Sequence, residues 1–141
     1  MGMIYAEQIE YMSVEQMQKT HEDEIKILND IDKLAITYEI KKTGLDELEK
    51  KINEYIEHVK AHFANEERLM QEYNFPSYDM HKESHNMFLL DLEYSIKQWK
   101  RAGDIKKIIY FIRKTPEWIV LHVNSVDAPT ANFLATKIKE S

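Results

Sequence analysis

Leu45, Leu48, Ile52, Tyr55, Val59, His62, Glu66, Leu69 and Tyr73 follow one another in steps of three and four over four heptads. Such a run has one way to fold, as a long helix that buries one stripe of its surface. His62 and Glu66 lie within that stripe. A polar or ionised group in a packed seam costs several kcal/mol unless it is paired or coordinated. Whatever this chain folds into must therefore place a histidine and a glutamate in its interior and give them partners.

The same device recurs along the chain. A first helix is expected from about Lys19 to Lys42, with a seam of His21, Glu24, Leu28, Ile31, Ala35 and Tyr38, stopped by Gly44. A third helix, about Tyr78 to Arg101, carries Tyr78, His81, His85, Phe88, Leu92, Ser95 and Trp99 inward. The fourth segment, 104–127, holds His122 and Asp127. Thr115-Pro116 predicts a kink or brief break in it, because proline removes a backbone donor and clashes with the preceding turn. Pro129 is expected to close this segment before a short terminal helix at 130–139. Similar helix lengths and short turns predict an all-α, up-down-up-down four-helix bundle. One domain over 1–141 is expected, with an N-terminal arm at 1–18, the bundle at 19–127 and a C-terminal segment at 128–141. Tyr5, Ile9, Tyr11 and Met12 of the arm are available to pack on the bundle.

Composition excludes several classes of function. The absence of cysteine removes disulfides, thiolate nucleophiles and iron–sulfur clusters. A net charge of −6 with scattered lysines argues against nucleic acid. No run is apolar enough to span a membrane, and the first residues do not read as a secretory signal. The expectation is a soluble, cytoplasmic protein.

Five of the six histidines, with Glu66 and Asp127, fall at ligand spacings on four helices. Residues four apart share a helix face, so His62 with Glu66 and His81 with His85 form inward-facing pairs. Seven ligands exceed a tetrahedral zinc site and point to two ions, with Glu66 and Asp127 as natural bridges. Iron suits this mixture of imidazole and carboxylate best. The dimetal bundle with Glu-x-x-His on two helices is excluded, because no histidine has an acidic residue three positions before it. His122 and Asp127 are five apart, about 140° around a regular helix, so a π-type bulge or unwound turn is expected between them. His58 falls on the flank with Lys51, Asn65 and Glu72 and is read as a boundary histidine. Glu24 is read either as a solvated surface residue, with Ile25 turned inward in its place, or as a pocket carboxylate and possible extra ligand. Met12, Met17, Met70, Met80 and Met87 are read as core filler.

The ordered pattern His21, His62-Phe63-x-x-Glu66-Glu67-x-Leu69-Met70, His81-x-x-x-His85 and Trp118-x-x-x-His122-x-x-x-x-Asp127 resembles the bacterial hemerythrins over residues 20–135. The resemblance implies two iron ions, His81, His85 and His122 on one and His21 and His62 on the other. Glu66 and Asp127 would bridge them together with an oxo or hydroxo group. It further implies reversible binding of O₂ or another small diatomic ligand, for storage, delivery or sensing rather than catalysis, in a monomer or weak homo-oligomer. Phe63, Trp118 and Ile25 would line the O₂ pocket. Where members of the family usually carry Leu or Ile, this chain has Glu24. A diiron oxidase or peroxidase-like protein, or a handler of NO or iron, is the alternative that Glu24 raises.

Overall fold

The computed structural model describes residues 15–140. They form α1 (Glu15–Lys41), α2 (Leu45–Glu72), α3 (Tyr78–Ala102), α4 (Lys106–His122), a π-helical turn (Val123–Asp127) and α5 (Ala128–Glu140). The first four helices make an all-α bundle, α1 packing on α2 and α4, and α3 on α2 and α4. Connections this short leave successive helices no course but antiparallel. The short α5 continues beyond the π turn and packs against α2.

Most of the expected seam positions are buried; Leu45, at the open start of α2, is exposed, and Tyr38, Tyr73, Tyr78 and Ser95 near the helix ends are half-buried. Leu28, Ile31 and Ala35 of α1 meet Leu48, Ile52, Tyr55 and Val59 of α2, Phe88, Leu92 and Trp99 of α3, and Ile108 and Ile112 of α4 in one core. The bundle is thus a hydrophobic cylinder over much of its length, with the polar seam residues gathered towards one end. In α1 both Glu24 and Ile25 are buried, so neither displaces the other.

Several expected boundaries are corrected. α1 already includes Glu15-Gln16-Met17-Gln18, ahead of the expected Lys19, because these are good helix formers with no breaker; the rest of the expected arm lies outside the described residues. α1 is closed by Lys42, at φ 58°, whose N–H returns to the Tyr38 carbonyl, rather than by Gly44. Gly44, at φ 81°, instead precedes α2 and accepts the N–H of Leu48. Asn74 takes the left-handed conformation after α2, where Phe75 N–H reaches Met70 O and Asn74 N–H reaches Gln71 O. These two bonds form the Schellman closure of a helix end.

Pro116 does not break α4, which runs through it unbroken. Proline in a helix interior forfeits one backbone bond and costs about 3 kcal/mol. Here Ile112, Thr115, Pro116 and Ile119 are all buried, and their packing holds the segment helical. The Thr115 hydroxyl donates to the Phe111 carbonyl within the helix. Pro129 does not end the helical course either. It is the second residue of α5, which follows the π turn without a break. Of the methionines read as core filler, Met70 is fully buried, whereas Met80 and Met87 are exposed at 59% and 60%. Met12 and the side chain of Met17 lie outside what is described.

Candidate metal centre

His21, His62, Glu66, His81, His85, His122 and Asp127 converge at one end of the bundle, and all seven are buried. Each helix contributes by its own geometry. On α2 the four-residue step aligns His62 with Glu66, and on α3 it aligns His81 with His85. On α4 the five-residue step is absorbed by the π turn, in which Ala128 N–H bonds to Val123 O, five residues back. Widening that turn brings Asp127 round beneath His122, with Nε2 and Oδ1 2.9 Å apart. The expected bulge is therefore present, and it spans the interval between the two residues.

The five imidazoles present Nε2 to the two carboxylates. His81 and His122 each stand 2.9 Å from Asp127 Oδ1, and His85 stands 3.1 Å from Glu66 Oε1. His21 stands 2.8 Å from Asp127 Oδ2, and His62 stands 2.6 Å from Glu66 Oε2. Each carboxylate thus turns one oxygen to a three-histidine group and the other to a two-histidine group. Two sets of ligand atoms, His81, His85, His122 and Asp127, and His21, His62, Glu66 and Asp127, each lie within 4.8 Å of one another. Nε2 of His81, His85 and His122, with Glu66 Oε1 and Asp127 Oδ1, finds no hydrogen bond of good geometry although buried. Acceptor atoms that crowd together unsatisfied in an apolar interior fit cations placed between them.

The electrostatics are those of a hole made for positive charge. Burial raises the carboxyls of Glu66 and Asp127, but the neighbouring imidazoles outweigh it and hold both below the ordinary range. Burial likewise pushes His81 down, yet the carboxylates of Asp127 and Glu66 beside its ring bring it up to about 9. Against the same burial, His21 is raised chiefly by Asp127, and His62 strongly by Glu66 and Glu24.

Behind the cluster stands a set of outer contacts, three of whose members helical periodicity did not single out. His81 Nδ1 lies 2.8 Å from Thr130 Oγ1. That hydroxyl donates to the Val126 carbonyl at 2.9 Å, so it accepts from His81, and Nε2 is left with its lone pair facing inward. His85 Nδ1 lies 3.0 Å from Glu67 Oε2, and Lys82 donates to the other oxygen of Glu67 at 3.0 Å. His122 Nδ1 lies 2.9 Å from Ser84 Oγ. Fixing one ring nitrogen by an outer partner is how metal-binding histidines are oriented. Glu67 stands in the pattern that carries the resemblance and Thr130 stands three residues beyond Asp127, whereas Ser84 carried no signal.

Glu24 is corrected in both its readings. It is 4% exposed, hence not a solvated surface residue. Nor does it enter the ligand cluster, since its Oε2 lies 2.8 Å from Nδ1 of His62, whose Nε2 faces Glu66. Opposite nitrogens of one ring are engaged, so Glu24 stands behind His62. Burial alone would raise its carboxyl, but His62 and His58 bring it down to about 2. His58, partly exposed, places Nδ1 3.6 Å from Glu24 and meets the His62 ring edge-on with centroids 6.3 Å apart, but belongs to neither set of ligand atoms. Phe63 stacks on His85 at 3.8 Å between centroids and Trp118 on His122 at 4.3 Å, while Ile25 is buried in the core. A groove of about 1020 Å³ between α3 and α4 reaches Trp118 and Ser84 from outside and stops short of the ligands.

The family model described as a hemerythrin HHE cation binding domain matches residues 12–128. A bacteriohemerythrin of Aquifex aeolicus (strain VF5) is 29% identical over 119 residues, 84% of this chain and 87% of the relative. A bacteriohemerythrin of Ralstonia nicotianae (strain ATCC BAA-1114 / GMI1000) is 27% identical over 86 residues, covering 61% and 62% of the two chains. A hemerythrin of Phascolopsis gouldii is 33% identical over 66 residues, 47% and 46% of the two. No solved structure gives a significant match.

Proposed function

The chain belongs to the hemerythrin family, and from that premise we propose that it is a non-haem diiron protein that binds O₂ reversibly, for storage, delivery or sensing. His81, His85 and His122 would hold one iron and His21 and His62 the other, with Glu66 and Asp127 shared between them. The observation that supports this most directly is the division of each carboxylate between the two histidine groups. The irons, when bound, supply the electrons and the coordination position that a small diatomic ligand needs.

The protein's own share is to bind, orient and exclude water. Thr130, Glu67, Ser84 and Glu24 hold the outer nitrogens of four histidines, so that each ring keeps its Nε2 inward. Phe63 and Trp118 wall His85 and His122 with flat rings, and Ile25 closes α1 over the core. Five histidines divided three and two leave the second group with fewer protein donors, which is where an exogenous ligand would enter. Among the described residues no helix is long and apolar enough to cross a membrane.

The test has two steps. Metal analysis of the purified protein should find about two irons per chain; one zinc and no iron would overturn the reading. The protein is then reduced without air, exposed to air and returned to an inert atmosphere. A colour change that reverses supports a carrier. Rapid irreversible oxidation overturns it in favour of the diiron oxidase or peroxidase-like reading, which the buried carboxylate behind His62 favours, because an anion there stabilises the ferric state.

A further inference from the structure

The two histidine groups are supported unequally from behind. In the three-histidine group every ring has an outer partner on Nδ1: Thr130 for His81, Glu67 for His85 and Ser84 for His122. In the two-histidine group Nδ1 of His21 is buried without a hydrogen-bond partner. His62 alone has one, Glu24, at 2.8 Å. The edge of the His21 ring meets the His62 ring with centroids 4.8 Å apart, so the placement of one ring depends on the other. The two outer carboxylates also differ. Glu67 is neutralised by Lys82 at 3.0 Å, whereas what Glu24 faces besides His62 is His58, at 3.6 Å.

We propose that Glu24 is a positioning residue for the two-histidine metal position: it holds His62 by Nδ1 with Nε2 turned into the cluster, and retention of the ion there depends on it. The inference rests on the metal-centre reading above and deepens it. A carboxylate partner fixes the tautomer and raises the basicity of a ligating histidine, and loss of such a partner costs 10- to 100-fold in metal affinity. At the three-histidine position one lost partner leaves two. At the two-histidine position the loss of Glu24 leaves none among the described residues. The consequence is selective: one ion of the two should be lost.

The experiment is an anaerobic equilibrium titration with cobalt(II), read by its visible absorption and by metal counting, on the parent, Glu24→Leu, Glu24→Gln and Glu67→Leu. The parent should take up two ions. Glu24→Leu should keep one at parental affinity and bind the other 10- to 100-fold more weakly. Glu24→Gln, whose side-chain carbonyl can still accept from Nδ1–H, should recover most of that loss; a merely structural role for the charge would show no such rescue. Glu67→Leu should weaken binding less, with the smaller effect on the other ion. Parental affinity for both ions in Glu24→Leu, or equal weakening of both, would overturn the proposal. Uptake of fewer than two ions by the parent would instead overturn the metal-centre reading, and the proposal with it.

Discussion

Thr130→Val isolates one hydrogen-bonded hydroxyl in the wall of the site. Thr130 is fully buried and joins His81 Nδ1 at 2.8 Å to the Val126 carbonyl at 2.9 Å. Valine has nearly the same shape, so no cavity opens and the change is one of bonding alone. His81, at 0% exposure, is left with an unpaired N–H, which costs about 1–3 kcal/mol. For a chain of 141 residues that is roughly 3 °C of melting temperature per kcal/mol. In the metal-loaded protein a further 10- to 100-fold loss of affinity should appear, about 1.4 kcal/mol per tenfold.

Thr130→Ser is the control. It keeps both hydrogen bonds and removes one methyl, a hole worth about 1 kcal/mol in folding, with metal affinity unchanged. The assays are thermal unfolding with a chelator present and competitive metal titration without it. The reasoning is refuted if valine leaves metal affinity at the parental value, or if serine lowers it as far as valine does.

His62→Ala and His85→Ala should each lose metal whereas His58→Ala, which removes a ring that faces Glu24 and the edge of His62 but belongs to neither ligand set, should keep it; equal metal loss in all three, by metal analysis, would contradict the assignment of His58. Leu134→Ala should destabilise the protein by about 2–5 kcal/mol in urea unfolding, because this α5 side chain is fully buried in the core, and a smaller change would mean that α5 is not part of the cooperative unit. Arg113 of α4 holds Glu39 through two nitrogens and Asp32 through a third, binding α4 to α1. These groups are partly exposed, so Arg113→Ala should cost no more than about 1 kcal/mol, and less in high salt; a double-mutant cycle with Glu39→Gln measures the pair directly.

The fold was legible wherever one helix face had to be apolar. Leu48, Ile52 and Val59 announce the buried side of α2 before any partner is known, because burial demands a stripe and the helix sets its period. Boundaries were read less well, and for a common reason. Pro116 and Pro129 carry a local signal to stop, but the helix they interrupt is held by contacts that local rules do not see. Gly44 was read as a terminator because glycine favours that place, while Lys42 took the left-handed conformation one turn after Tyr38. The π turn was the exception. It was legible because His122 and Asp127 had to face one point and an ordinary helix could not make them do so.

The site divides along the same line. Residues that point inward from a single helix could be found by counting, and the seven buried donors are of that kind. The partners that hold them cannot be found so, since each hydrogen bond crosses between helices: Thr130 of α5 to His81 of α3, Glu67 of α2 to His85 of α3, Glu24 of α1 to His62 of α2. Periodicity states which face a residue occupies and is silent on which atom it meets. Glu24 shows what that silence hides. Its seam position left open both solvent and the ligand cluster, and the neighbouring helix settled the matter by setting Nδ1 of His62 against it. That contact turns a misplaced charge into a support, and it makes the less well-held half of the centre depend on one residue.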